Sequence, residues 1–521
     1  MTGKQTHRPN PHHGARLFAL VAVLGALVLA APATASPAVA PRGATHIAQV
    51  ASDTSLAKAA RIVRATGARV VGRISLIHAL AIHARPAQVA RLRWRHGIAR
   101  LSRNAHVRPQ RNVLDAANLA TSYPYAAQAP QAWSVTAGYG VGVAVLDTGI
   151  AGDLTDFHSI VTNGSRVIGA AVVNPDATTA TDTYGHGTHV AGIIAGNGNQ
   201  RPWDDPQFGQ YVGIAPRANL VSVKISDDAG RATILDAIYG LQFVVDHRDD
   251  YGIRVVNMSF ESADTGSYHS DPLDAAVEAA YFHGILPVAA AGNHGSDSDA
   301  VDHAPSNDPF VLSVGAYDDQ GTRLSGDDVY ATWSSRGTTV DGYDKPEIGA
   351  PGVHIVSTIP AGSTYTDLCP TCMVPGGYFS ISGTSMAAPV VSGAAALVFA
   401  AHPGWTPAQV KSALVQTARR GIAGAPEVKA NGAVMLNTPP APLNPDATPN
   451  DLIDPATGDI DETRSTWTRS TWTSADGLGA SWARSTWTCV CDPTAGADVD
   501  STRSTWTRST WTRSSWSTFW G

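Results

Sequence analysis

The chain has 521 residues, 43% hydrophobic, 15% charged and 7% aromatic; this is enough apolar mass for a sizeable core and excludes a wholly disordered protein or a coiled coil. Its four cysteines are too few to define a disulfide-dense miniature. The net charge of −6 hides a split: residues 1–111 carry 17 Lys/Arg against one acid, and residues 112–521 carry 20 against 42, which fits either a nucleic-acid partner or two segments made to dock on each other.

Lys4, Arg8 and Arg16 precede an apolar run from Leu17 to Ala31, followed by Ala33-Thr34-Ala35, a small-x-small cleavage site. Residues 1–35 therefore read as a secretory signal peptide. The alternative is an uncleaved anchor, but 15 residues fall short of the roughly 20 needed to cross a bilayer. No later run reads as a span, so the mature chain is expected outside the cell with no membrane span.

Residues 36–111 open with a Pro/Ala-rich spacer and continue as a small α+β unit. Ser55–Thr66 reads as a helix with Leu56, Ala59, Ala60, Ile62 and Val63 on its apolar face, and Val70–His83 as one or two strands. Pro86 opens a second helix, and Ile98–Leu101 returns as a strand. About 60 residues is near the lower limit for independent stability.

Residues 112–440 form the main body. Short apolar runs at Val141–Leu146, Leu220–Ile225, Val255–Met258, Ile285–Ala290 and Val311–Val314 alternate with helical stretches. Runs of this kind are buried parallel strands covered on both faces, which predicts an α/β fold with a doubly wound, mostly parallel sheet. Residues 441–521 begin as a Pro-rich, acidic linker. They end in Arg-Ser-Thr-Trp-Thr repeats holding eight of the 13 Trp, a low-complexity Trp-rich tail whose five-residue period matches neither helix nor strand. Its Arg and Trp side chains suit stacking on sugars or an anionic cell-wall polymer; a low-complexity extension is the plainer alternative.

Chemistry gathers in three blocks. Val-Ala-Val-Leu-Asp147-Thr-Gly puts a carboxylate at the end of an apolar strand, where open α/β sheets collect function; alone, an Asp at a strand end is more often a turn or cap residue. His186-Gly-Thr-His189-Val-Ala-Gly opens a buried helix. It lacks the Glu and third ligand of a zinc site, and His189 reads as a structural histidine. Ser-Gly-Thr-Ser385-Met-Ala-Ala-Pro places Ser385 at a helix N-terminus, as a cap or as a nucleophile.

Taken together and in the order Asp, His, Ser, these blocks resemble the subtilisin-like serine proteases. The resemblance runs from about Trp133 to Asn437 and includes the Pro216, Asn257-Met-Ser259, Gly292-Asn293, Arg336 and Lys345–Pro351 motifs. It implies a serine endopeptidase acting on protein or peptide substrates, with Ser385 as nucleophile, His186 as general base and acid, and Asp147 orienting the imidazole. Asn293 and the Ser385 N–H would form the oxyanion hole. Substrate backbone would lie along the strand of Ser259, Phe260 and Glu261, and Ala291 and Gly292 are further substrate-binding residues implied by the resemblance. The family often has Ser-Leu-Gly-Gly where this chain has Ser259-Phe-Glu261-Ser, which puts the usual preference for bulky apolar side chains in doubt. Asp302 and His303 are expected near the primary pocket, and a basic preference follows as a hypothesis.

Residues 45–108 resemble the family's prodomain, which implies a chaperone-like inhibitor removed by self-cleavage between Pro109 and Tyr125. Its charge opposes that of residues 112–440, which carry 14 Lys/Arg and 32 acids; this favours docking of the chain's own prodomain over nucleic-acid binding. Cys369-Pro-Thr-Cys372 and Cys489-Val-Cys491 allow three disulfide connectivities or a thiolate zinc site. No cofactor is required by this reading. The resemblance allows a structural Ca²⁺, with Asp204 and Asp205 as candidate ligands. A catalytically silent binding protein working through the Trp-rich tail is the rival from another class.

Overall fold

Alternation along short strands builds the amino-terminal unit. The computed structural model describes residues 43–109, 113–114 and 121–459, apart from 160, 203, 206, 324, 421–423 and 455; the expected signal peptide and the Trp-rich repeats with Cys489 and Cys491 lie outside the described residues. The unit comprises β1 (Ala44–Val50), α1 (Leu56–Ala65), β2 (Arg69–Ile74), β3 (Ala79–Ala84), α2 (Pro86–Leu92) and β4 (Ile98–Arg103). Its antiparallel sheet has the order β2-β3-β1-β4. Successive side chains point to opposite faces: Ala48, Leu80 and Ile82 pack with Ala59, Val63 and Leu92 of the two helices. Ile47, Ala79 and Ala81 instead join Ile74 and Ile77 in a cluster with Leu235, Ile238, Leu241, Leu273 and Ala276 of the larger body. The α1 helix starts at Ser55, whose hydroxyl accepts the Lys58 N–H.

Two short strands follow, β5 (His106–Pro109) and β6 (Val113–Leu114). The main body then runs β7 (Gly142–Asp147), β8 (Val167–Val172), α3 (His186–Ala195), β9 (Asn219–Lys224), β10 (Ala232–Thr233), α4 (Ile234–Asp246) and β11 (Ile253–Met258). It continues β12 (Phe260–Ser262), α5 (Pro272–Phe282), β13 (Leu286–Ala290), β14 (Leu312–Asp318), β15 (Val329–Tyr330), β16 (Ile348–Pro351), β17 (Tyr378–Ser382) and α6 (Thr384–Ala401). The main sheet has the order β15-β14-β13-β11-β7-β9-β8, with β16 also beside β14. Its pairs are parallel except β14 with β15. Val143, Val145, Val255 and Val288 face α3 and α6. Ala144, Leu146, Val256 and Ala289 face α4 and α5. Burial on both faces is why these strands read as unbroken apolar runs.

Two expectations change. By length and a mean hydropathy of 1.6, α6 would qualify as a membrane span, yet 89% of it is buried inside the protein; it is the core helix that carries Ser385. The acidic stretch after Pro439 is not a free linker, because Asn450 is buried against α5. Its N–H donates to both oxygens of Glu278 at 2.9 and 2.8 Å, and Nδ2 donates to the Tyr268 carbonyl at 2.6 Å. Ile453 is fully buried beside it. A buried carboxylate needs donors, and the segment beyond residue 440 supplies them, so the packed body extends past that boundary. Cys369 and Cys372 form a local disulfide.

Candidate active site

Parallel β7 ends at Asp147, so its carboxylate emerges at the carboxyl edge of the sheet. His186 is the first residue of α3, and its Nδ1 lies 2.6 Å from Asp147 Oδ1 with the two side chains 1% and 3% exposed. Because the carboxylate accepts, Nδ1 carries the proton and Nε2 is left as the basic nitrogen. Close approach depends on Gly187: a Cβ there would stand 2.2 Å from the Gly149 carbonyl and 3.0 Å from the Asp147 Cβ.

Asp182 holds the start of α3. One oxygen accepts from the Thr148 hydroxyl (2.8 Å) and from the Tyr184 (3.1 Å) and Gly185 (2.8 Å) N–H groups; the other accepts from the Thr188 N–H (2.8 Å). These include donors that a helix N-terminus leaves unpaired. Burial pushes the Asp182 carboxyl upward, opposed by those hydrogen bonds.

Ser385 sits in the first turn of α6, which packs against α3. Its hydroxyl donates to the Ser259 carbonyl at 3.2 Å, while the Ser259 hydroxyl donates to the Ser385 carbonyl at 2.9 Å. Asn257 links the same parts, donating to Ser259 Oγ at 3.0 Å and accepting from Ser392 at 2.8 Å. His186 Nε2 is buried with no hydrogen-bond partner among the described residues. The Asp147–His186 hydrogen bond is therefore present, while no hydrogen bond joins His186 to Ser385, whose hydroxyl is given to Ser259.

Asn293 follows Gly292, which adopts φ +110. The Thr384 N–H and hydroxyl both donate to Asn293 Oδ1, at 3.0 and 2.9 Å. That identifies the oxygen end of the carboxamide and turns Nδ2, the donor end, away from Thr384. Ala291 is buried, its N–H bonded to the Val314 carbonyl at 3.0 Å.

Strand β5 lies between β10 and β12, antiparallel to both. Pro109 faces Phe260, Arg108 faces Glu261 and Val107 faces Ser262. Glu261 is buried, and its Oε1 is 2.9 Å from His294 Nε2. The His303 ring stacks on His294 with centroids 4.9 Å apart and is held by the Ser262 carbonyl at 3.0 Å. His303 thus backs His294, the partner of Glu261, whereas Asp302 turns to the Val340 N–H at 2.8 Å.

His189 points into the core, where Nε2 donates to the Phe379 carbonyl at 2.9 Å; burial pulls it down to about 3. Asp205 is paired with Arg201 at 2.7 Å, and among the described residues no three His, Cys, Asp or Glu side chains are grouped to hold a metal ion. Sequence reasoning missed Asp182, Thr384 and His294. Only the third carried a local signal, as the residue after Asn293.

A family profile described as the subtilase family matches residues 138–443. The chain belongs to that family. It is a serine-type endopeptidase with the subtilisin-like α/β fold and acts on protein or peptide substrates. It is 37% identical over 330 residues to serine protease AprX of Bacillus subtilis (strain 168), covering 62% of this chain and 71% of that one. Similarity to subtilisin DY of Bacillus licheniformis is 34% over 282 residues, 54% of this chain and 84% of the other. Among solved structures, fervidolysin from Fervidobacterium pennivorans superimposes with a TM-score of 0.58 at 24% identity. That match covers 76% of this chain and 61% of fervidolysin and supports the fold alone.

Proposed function

We propose that this subtilase is a secreted, self-processed endopeptidase in which Asp147, His186 and Ser385 act as a catalytic triad. The observation that carries the proposal is the buried 2.6 Å Asp147–His186 pair on a helix packed against that of Ser385. His186 Nε2 takes the proton of the Ser385 hydroxyl as Oγ attacks the substrate carbonyl. Asn293 Nδ2 and the Ser385 N–H, a helix-terminal donor, hold the oxyanion. His186 then returns the proton to the leaving amine, and water releases the acyl group by the same relay. Asp147 keeps the proton on Nδ1 throughout and stabilises the imidazolium.

The amino-terminal unit acts in this proposal as a prodomain. Strand β5 lies along β12 as an added strand, the arrangement an extended peptide substrate would use. It ends at Pro109, and β6 resumes at Val113 against β17, which favours a cut within residues 110–112. Opposite charges favour docking at long range, while the central contacts are apolar, through Ile47, Ile74 and Ile77, so salt should slow association more than it speeds release. Export rests on the sequence of residues 1–35, and retention on cell wall on the Trp-rich repeats. A structural Ca²⁺ remains an expectation of the resemblance.

A fluorophosphonate probe on secreted wild type and Ser385→Ala tests the nucleophile. Label on Ser385, with loss of residues 36–111 in wild type only, supports both parts. A folded, prodomain-free wild type that takes no label sinks the triad.

A further inference from the structure

The departure at Glu261 changes what the cleft can recognise. A peptide keeping the β5 register sets the residue after the one facing Phe260 against Ser259, whose carbonyl accepts the Ser385 hydroxyl at 3.2 Å. Its own carbonyl is then the one presented to the nucleophile. In an antiparallel pair, directly opposed residues share a face of the sheet, as do residues two apart. The side chain of the residue to be acylated therefore leaves the strand on the face of Ser259 and Glu261.

Glu261 runs along that face to the opposite wall. A Cβ on Gly292, next to Asn293, would stand 3.1 Å from Glu261 Oε2. Oε1 is braced by His294 at 2.9 Å, with Glu261 4% and His294 29% exposed, and His303 backs His294 at 4.9 Å between ring centroids. A buried, braced carboxylate thus spans the space between β12 and the Ala291–Asn293 wall.

We propose that Glu261, held by His294, selects substrates whose acylated residue carries a hydrogen-bond-donating side chain, lysine, arginine or glutamine, over large apolar ones. An apolar side chain brought against this carboxylate removes water and returns no hydrogen bond, whereas a cation or carboxamide returns one. In sequence, the residue that follows Pro109 in the chain's own leading segment is Gln110, which carries a donor side chain. The inference rests on Ser385 being the nucleophile.

The test uses mature enzyme titrated with the fluorophosphonate probe, so that failure to label counts against the triad and not against this assignment. With labelled enzyme, kcat/KM is measured on peptides differing only at the acylated residue. Lysine, arginine and glutamine are expected to exceed phenylalanine and leucine by about 10- to 100-fold, the discrimination expected for an unmet buried hydrogen bond. Glu261→Gly should reverse the order, and the volume-conserving Glu261→Gln should erase the advantage of lysine while sparing that of glutamine. Preference for phenylalanine in the wild type, unchanged ratios in titrated Glu261→Gly, or a preference located only two residues upstream, opposite Glu261, would each overturn it.

Discussion

Two carboxylate–imidazole pairs stand along the same cleft, and they differ in which ring nitrogen is held and in how far water reaches the ring. Asp147 holds His186 by Nδ1 at 2.6 Å with the ring 1% exposed; Glu261 holds His294 by Nε2 at 2.9 Å with the ring 29% exposed. The first ring opens a helix whose start is fixed by Asp182, and its outer nitrogen faces the cleft without a competing partner among the described residues. The second ring lies on a loop, and its carboxylate uses the outer nitrogen itself. In the proposed reading, the same chemical pair serves proton transfer in one setting and braces a recognition group in the other. Burial and nitrogen choice make the difference, not residue type.

Substitutions at the two pairs should separate cleanly. Asp147→Asn permits the wrong imidazole tautomer and is expected to lower kcat by about 10⁴ on every peptide, leaving the order of preference intact; Glu261→Gln should alter the order with a far smaller effect on the best substrate. A uniform loss at both positions would erase the distinction. Asn293→Ala should cost on the order of 10²–10³ in kcat, a magnitude known from subtilisin itself, with KM little changed.

Asp182→Asn sharpens the comparison at the seat of His186. A carboxamide presents one donor end, which cannot satisfy donors on both sides. An unmet buried group costs roughly 1–3 kcal/mol. We expect kcat to fall about ten-fold with KM unchanged, read on titrated enzyme; an equal rise in KM would point to general loosening instead.

His189 is a third imidazole, bonded to a neutral carbonyl. Burial lowers it to about 3 from the usual 6.5, so the folded state keeps it neutral where the unfolded chain protonates. Its contribution to stability is whole above about pH 6.5 and is lost as pH falls toward 3. In a Ser385→Ala background that cannot digest itself, the stability gap between His189 and His189→Gln should narrow between pH 7 and pH 5. A gap independent of pH would remove the titration argument. This is the smallest of the expected effects.

Much of the fold was legible because its strands are buried on both faces. The run Val141–Leu146 became Gly142–Asp147, and Val255–Met258 became Ile253–Met258. The strand at Val167–Val172 was missed, since as an edge strand it is largely half-buried and lacks a full apolar run. The packing of Asn450 on Glu278 was hidden for another reason: its partners are 172 residues away in sequence, and a Pro-rich acidic stretch looks like a linker from composition alone.

By itself, the sequence determined the residue types of the site and their order, because the blocks around Asp147, His186 and Ser385 are short and their small residues serve local needs. Gly187 and Gly292 are examples, one for close approach and one for a positive φ. Tertiary structure alone decided which groups face one another. Hydrogen bonds such as Thr384 to Asn293, Asp182 to Thr148, and Glu261 to His294 join residues 91, 34 and 33 positions apart. No local pattern encodes such pairings, since their geometry exists only once the sheet has brought its strand ends together.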